Sequence, residues 1–238
     1  MKVGIIAAGT GERLARGGVC TPKPLVPLRG EPMIARLIRA AGRLKAESVA
    51  CIVNDVDPAV SGYLRSQSWP LPLELVVRTT PNSMESLLAL APLLKGSPFL
   101  LSTVDAVFPF AALERLLEAG RTMAGAGGGV LALTTNLDDE KPLWTSIDAH
   151  HRITAMGENA AGSTPYATAG FYYFDPAIFS LAQTARARKL DALRRFLALL
   201  LESGHPLYGL PVSRTIDVDY PEDIAKAEDY LVDIGENS

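Results

Sequence analysis

What the chain lacks narrows its reading first. Only two cysteines occur in 238 residues, Cys20 and Cys51, at no metal-ligand spacing. That excludes a disulfide framework and fits a reducing compartment. Basic charge is not in excess: 23 Lys and Arg stand against 26 Asp and Glu, for a net charge of −3 and a pI of about 5.7. There is no basic footprint for nucleic acid, and an anionic ligand must be met by local cations, not by a global field. No run approaches the ~18 apolar residues of a membrane span. The apolar stretch at residues 1–8 is closed too soon by Glu12 and Arg13 to be a secretory core. A soluble, cytoplasmic protein with no nucleic-acid or membrane partner is expected.

What is present is an alternation. Residues 3–8 form an apolar run bounded by Gly9, as in a parallel strand buried on both faces. Loop residues follow to Pro27. Glu31 and Pro32 open a helix to about Leu44, with Met33, Ile34, Leu37, Ile38 and Ala41 on one face. Strands are predicted at 49–53, 73–77 and 99–104, and helices at 58–65, 83–91 and 109–119. Pro92 should end or kink the helix at 83–91. Four strand–helix alternations predict an α/β fold with a doubly wound, mostly parallel sheet. Such sheets bind ligands beyond their strands' carboxyl ends. The Gly9 loop, Asn54 and Asp55, Thr79 and Thr80, and Asp105 all fall there.

The pattern changes after Gly125. A glycine-rich turn leads to a strand at 130–134, a hairpin of 144–147 and 152–156 around Asp148 to His151, and an aromatic strand at 169–174. These read as a small antiparallel subdomain beside the parallel sheet. Asp175 and Pro176 start a helix; an amphipathic helix covers 190–202, short strands 207–210 and 215–218, and a last helix 221–231, with Asp219 a candidate cap. With no linker or repeat, one domain over 1–238 is expected, in two parts of about 1–124 and 125–238.

The opening loop carries the chemistry. Gly9 and Gly11 let backbone amides approach a ligand. Arg13 can fork onto phosphate oxygens, and Lys23, ten residues on, is a point charge. Taken alone, the same residues also suit an ordinary turn with two solvated cations. A dinucleotide fingerprint would need Gly or Ala at the position of Leu14. A Walker A loop is absent, since no Gly-Lys-Ser/Thr occurs.

AAGTGERL at residues 7–14, followed by TPKPLVPLRGEPMI at 21–34, resembles the signature of the sugar-phosphate nucleotidyltransferases. The ten-residue step from Arg13 to Lys23 resembles the sugar-1-phosphate branch more than the molybdopterin-guanylyltransferase-like one. The resemblance implies a Rossmann-like, nucleotide-diphospho-sugar transferase fold, and nucleotide binding by Ala7, Ala8, Gly9, Gly11, Arg13 and Lys23. It implies catalytic roles for Arg13, Lys23 and Asp105, and Mg²⁺ held by Asp105. The segment TIDVDYPEDIAKAEDYL at 215–231 resembles the family's C-terminal motif and implies Asp217 as a second metal ligand. Asp219, Pro221, Glu222 and Asp223 then read as a cap and first turn. Asp105 could otherwise be a turn cap, and Asp217 could only order its turn.

Two places depart from the family. Where many members have Glu-Lys-Pro, this chain has Gly157-Glu158-Asn159, so the lysine that binds a sugar phosphate is missing. Lys141 lies upstream, on what reads as a solvated loop. Glu158 reads as acceptor-binding or as a surface charge. Where many have Leu-Gly-Thr-Ala, residues 81–87 read PNSMESL, which resembles the inositol-phosphate and phosphocholine cytidylyltransferases. Asn82, Ser83 and Ser86 there read as nucleotide-binding or as helix caps. Gly170 resembles a residue lining the acceptor pocket. His150 and His151 read as surface residues, and Arg186, Arg188 and Lys189 as a solvated helix end.

The expectation is a Mg²⁺-dependent enzyme transferring NMP from an NTP to a sugar 1-phosphate, releasing pyrophosphate. A cytidylyltransferase for inositol phosphate or phosphocholine is the alternative in chemistry. A non-catalytic nucleotide sensor is the alternative in class. Partners are an NTP and a phosphorylated acceptor; a homodimer is compatible with this. The chain ends without a left-handed β-helix tail, so no acetyltransferase activity is expected.

Overall fold

The computed structural model describes residues 1–135, 142–157, 160 and 166–236. β1 (Lys2–Ala7) is followed by a one-turn helix, α1 (Glu12–Arg16), within what the sequence reads as loop. Five residues carry no apolar period, so nothing local announces α1. A 3-10 turn (Lys23–Leu25) and the small hairpin β2 (Pro27–Leu28) and β3 (Glu31–Pro32) lead into α2 (Met33–Arg43). Next come β4 (Val49–Val53), α3 (Pro58–Ser66), β5 (Leu73–Val77), α4 (Ser83–Leu94), β6 (Phe99–Thr103), β7 (Ala106–Val107) and α5 (Phe110–Met123). α4 runs through Pro92 to Leu94 instead of stopping. Proline costs that turn one backbone bond, but Leu94 is fully buried and Lys95 N–H still reaches Ala91 O at 3.0 Å. Packing therefore carries the helix past its breaker.

The remaining elements are β8 (Gly129–Thr134), β9 (Trp144–Ile147), β10 (Ile153–Met156), β11 (Tyr166–Phe174), a 3-10 turn (Pro176–Leu181), α6 (Ala182–Ala187), α7 (Leu193–Glu202), β12 (Leu207–Pro211), β13 (Ile216–Asp217) and α8 (Pro221–Asp233). Among the described residues one nine-stranded sheet has the order β10-β9-β11-β6-β1-β4-β5, with β8 on β11 and β12 on β8. β6, β1, β4 and β5 are parallel. β11 pairs antiparallel with β6 from Phe171 to Phe174. The antiparallel part is thus hydrogen-bonded into the parallel sheet rather than laid beside it.

Side-chain alternation along β1 splits the core. Val3, Ile5 and Ala7 join α2, α3, α5 and α8 on one face. Ile6 and Ala8 join α4, α6 and α7 on the other. A separate ladder matters most for function: β13 pairs antiparallel with β7, setting Asp217 opposite Ala106. Val218 N–H bonds Asp105 O at 3.1 Å. Two carboxylates distant in sequence are therefore brought together by a ladder only two residues long on each side.

Candidate active site

The site begins at Gly11, whose backbone is left-handed at φ 66°. A Cβ there would lie 2.9 Å from Lys23 Cβ. A side chain would thus be strained and would push away the turn that carries Lys23. Pro22 and Pro24 fence Lys23 at the start of its 3-10 turn. Its ammonium donates to Asp105 Oδ2 at 2.7 Å and to Asp219 Oδ1 at 2.6 Å. Arg13 donates to the other oxygen of Asp219 at 2.8 Å, and its guanidinium lies 5.5 Å from the Tyr220 ring centre. Lys23, Asp105, Asp219 and Arg13 thus form one chain of charges at the parallel strands' carboxyl ends.

The electrostatics of the pair are mutual. Burial alone would lower the pKa of Lys23, whose side chain is 10% exposed, but Asp105 and Asp219 carry it above the ordinary lysine value. Burial likewise works against the charge of Asp105, and Lys23 holds its carboxyl below the usual range. Both remain charged near neutral pH.

Asp219 corrects the sequence reading. It is not the cap of α8. Tyr220 holds that position, and Asp223 accepts from the amides of Tyr220 (2.9 Å) and Asp219 (3.2 Å). Asp219 is thereby released to face Lys23, a residue 196 positions away, and no local pattern could show that.

A cleft of about 530 Å³ opens beside these charges, lined by Ala8, Gly9, Gly11, Arg13, Lys23, Asn82, Ser83, Ser86 and Asp105. Ala7 does not line this cleft; its methyl lies in the core, because alternate residues of β1 face opposite sides. Asn54 steadies the loop by donating to Gly9 O at 3.2 Å. Asn82 caps α4 by accepting from Glu85 N at 2.9 Å. Ser86 is buried and shares a 2.6 Å hydrogen bond with Thr80. Capping and cleft lining therefore coincide in this segment.

A second pocket of about 280 Å³ adjoins the cleft and shares Ser83, Thr103, Asp105 and Asp219 with it. Its other walls include Gly170, Tyr172, Asp217 and Arg194. Gly170 has φ 79°, at the register shift of β11. A Cβ there would meet Ala106 Cβ at 2.7 Å and Thr103 Oγ1 at 3.0 Å, and would lie 3.9 Å from Asp217 Oδ1. Gly170 thus lets β11 close onto the two carboxylates. Glu158, Asn159 and Lys141 lie outside the described residues. Asp105 and Asp217 offer carboxylate oxygens, the donor type Mg²⁺ takes, with ligand oxygens and waters completing its octahedron. The described residues hold no cluster of three or more His, Cys, Asp or Glu fit for a metal, so a cation here would depend on such outside oxygens.

The profile of the MobA-like NTP transferase domain family matches residues 3–169, a stretch that includes Gly9, Gly11, Arg13, Lys23 and Asp105. The chain belongs to that family. Among curated relatives, the CMP-5'-(3-aminopropyl)phosphonate synthase of Streptomyces rubellomurinus is 30% identical over 125 residues, 51% of this chain and 20% of the relative. The bifunctional IPC transferase and DIPP synthase of Aquifex aeolicus is 25% identical over 237 residues, 96% of this chain and 51% of the relative. The chain therefore spans a fifth and about half of these relatives' lengths. The inositol-1-phosphate CTP transferase of T. maritima shares the fold, with a TM-score of 0.81 at 16% identity over 99% of this chain and 96% of that one.

This MobA-like domain places other residues outside the site or adds to it. Arg186 forms a two-pronged ion pair with Glu85 (2.8 Å each), and Arg188 pairs with Glu202 at 2.8 Å. These arginines tie elements together instead of being merely solvated. His150 and His151 are exposed. Cys20 is exposed, and Cys51 is buried with its thiol pushed up to about 12. Among the described residues no helix is long and apolar enough to cross a membrane. Asp219 and Arg194 are among the charged lining residues to which the sequence assigned no site role. For Asp219 the TIDVDYPED segment gave no signal of one, since it reads as a helix start. For Arg194 there was none, since an arginine on the polar face of an amphipathic helix is ordinary.

Proposed function

We propose that this chain is a Mg²⁺-dependent nucleotidyltransferase. It joins the NMP unit of an NTP to a small acceptor bearing a phosphate or phosphonate, and it releases pyrophosphate. One observation carries the reading: the Gly11–Lys23 cleft and the Gly170 pocket meet at Asp105. A site with two adjoining chambers suits a reaction that brings two phosphorylated molecules together. In this reading the backbone at Gly9 and Gly11 and the Arg13 guanidinium hold the triphosphate, with Asn82, Ser83 and Ser86 along its far side. Lys23 faces the reacting phosphate. The triphosphate oxygens compete with Asp105 and Asp219 for Lys23 and Arg13, exchanging internal ion pairs for contacts to the substrate. Mg²⁺, held by Asp105 and Asp217, would supply charge neutralisation on phosphate oxygens.

An acceptor oxygen, already anionic, forms the new bond to the α-phosphorus. The bond from that phosphorus to the bridging oxygen breaks, and pyrophosphate leaves with the electron pair. No protein nucleophile or base is needed, so catalysis is positioning and charge stabilisation. We read 1–238 as one unit, in which Asp217 and Asp219 bring the C-terminal part into the nucleotide half. The cytoplasm is the compartment this reading expects.

The acceptor has two readings. The ten-residue step from Arg13 to Lys23 favours a sugar 1-phosphate. The PNSMESL segment, and relatives whose names state CMP-phosphonate or inositol-phosphate chemistry, favour CTP with a phosphonate or a phosphorylated polyol. The test is pyrophosphate release from each of the four NTPs with sugar 1-phosphates, inositol phosphate, phosphocholine and aminoalkylphosphonates. It is run with Mg²⁺ and after chelation. Acceptor-dependent release with one NTP, abolished by chelation, is expected. NTP binding with no release from any acceptor would make the protein a nucleotide sensor and overturn the proposal.

A further inference from the structure

Arg194 stands in the first turn of α7 and is exposed. It is the one cationic side chain among the described residues lining the smaller pocket, where Asp105, Asp217 and Asp219 supply carboxylates. The neighbouring arginines have partners: Arg195 pairs with Asp191 at 3.3 Å, Arg188 with Glu202, and Arg186 with Glu85. Arg194 makes no ion pair or side-chain hydrogen bond among the described residues. Its place is nonetheless fixed. Leu193 N–H donates to Ser83 Oγ at 2.9 Å, while Leu193, Phe196 and Leu197 are buried. The turn carrying Arg194 is therefore pinned to the start of α4, whose residues also line the nucleotide cleft.

Lys23 and Arg13 already engage Asp105 and Asp219, so an anion entering this carboxylate-lined pocket needs a further cation of its own. A guanidinium offers paired N–H donors that match two oxygens of a phosphate or phosphonate and leave the third to react. We propose that Arg194 anchors the anionic head of the acceptor and so selects small molecules ending in a phosphate monoester or phosphonate. This rests on the two-chamber reading of the function.

The test uses the full chain with Mg²⁺ and the NTP that supports release. Arg194→Gln should raise the acceptor KM on the order of 10–100-fold and leave the NTP KM unchanged. Arg194→Lys should recover part of the loss, and Arg195→Gln should match wild type. Phosphomonoester and phosphonate acceptors are assayed as separate arms, and the arm that gives turnover names the source of the anion. An unchanged acceptor KM in Arg194→Gln, an equal rise in Arg195→Gln, or a rise confined to the NTP KM would overturn the assignment. A second readout stands apart from turnover: calorimetry of inorganic phosphate binding at saturating NTP. If wild type releases no pyrophosphate, the proposed function fails. In that event phosphate affinity lost only in Arg194→Gln would sustain the anchor, and equal affinity in both proteins would sink it as well.

Discussion

The two chambers are built differently. The larger cleft rests on the ends of parallel strands, and three of its lining residues, Gly11, Arg13 and Lys23, lie within one short segment. The smaller pocket is assembled from β11, β13, the end of β6 and the residues just after it, α7, and Ser83 of α4, which are remote from one another in the chain. The part of the larger cleft that one segment makes is written locally. A pocket made by such scattered elements is written only in how they pack. The difference teaches where substitutions should hit chemistry and where they should hit shape.

The largest effects should come from the charges of the cleft. Lys23→Ala and Asp105→Ala should each lower turnover on the order of 10²–10³-fold, with circular dichroism unchanged. Wild-type turnover in either would remove that residue's role. Asp219→Asn should cost roughly tenfold to hundredfold in kcat/KM by releasing Lys23 and Arg13, with little change in Tm. Turnover intact in Asp219→Asn would remove that role from Asp219.

Shape effects should follow on the acceptor side. Gly170→Ala sets a Cβ 2.7 Å from Ala106 Cβ at φ 79°. It should cost on the order of 1–3 kcal/mol in urea unfolding and raise the acceptor KM more than the NTP KM. Equal rises in both would dissolve the distinction between the chambers.

A smaller, pH-dependent effect belongs to Asp223. Burial alone would raise its pKa, but Lys226 and the amides of Tyr220 and Asp219 hold it below the ordinary value. Its contribution is then complete above the unfolded carboxyl pKa of about 3.9. It is lost as pH falls through the lower folded value. Asp223→Asn should flatten this acid slope of Tm, by an amount near the ~1 kcal/mol of a cap. A slope identical to wild type would deny Asp223 that linkage. Smallest is Arg186→Ala. Its ion pair with Glu85 is 56% and 23% exposed on its two sides, and its loss should change unfolding by about 0–1 kcal/mol.

Legibility in the sequence follows the same division. The bounds of β4 and β5 match the expectations residue for residue; for β4 the reason is a continuous, fully buried apolar run, as in a parallel strand covered on both faces. The rim joining Gly9, Thr79, Thr80 and Asp105 follows from topology alone. Asp219 was misread because Asp-Tyr-Pro-Glu-Asp looks like a helix start, and only Lys23, far along the chain, shows where its carboxylate goes. Pro92 was overruled by the burial of Leu94. Arg194 has no local signature, since the turn that holds it gains its meaning from Ser83. The hairpin of β9 and β10 was legible around its turn, Asp148 to His151. That the antiparallel strands continue the main sheet was not, because β11 pairs with β6 across more than 60 residues of chain.

The most direct test of the two-chamber account follows pyrophosphate and NMP–acceptor product together, in wild type and Lys23→Ala, with and without acceptor. The account predicts one pyrophosphate per product in wild type, none without acceptor, and a loss of both in Lys23→Ala while NTP still binds. Pyrophosphate released equally without acceptor, or equally by Lys23→Ala, would contradict it.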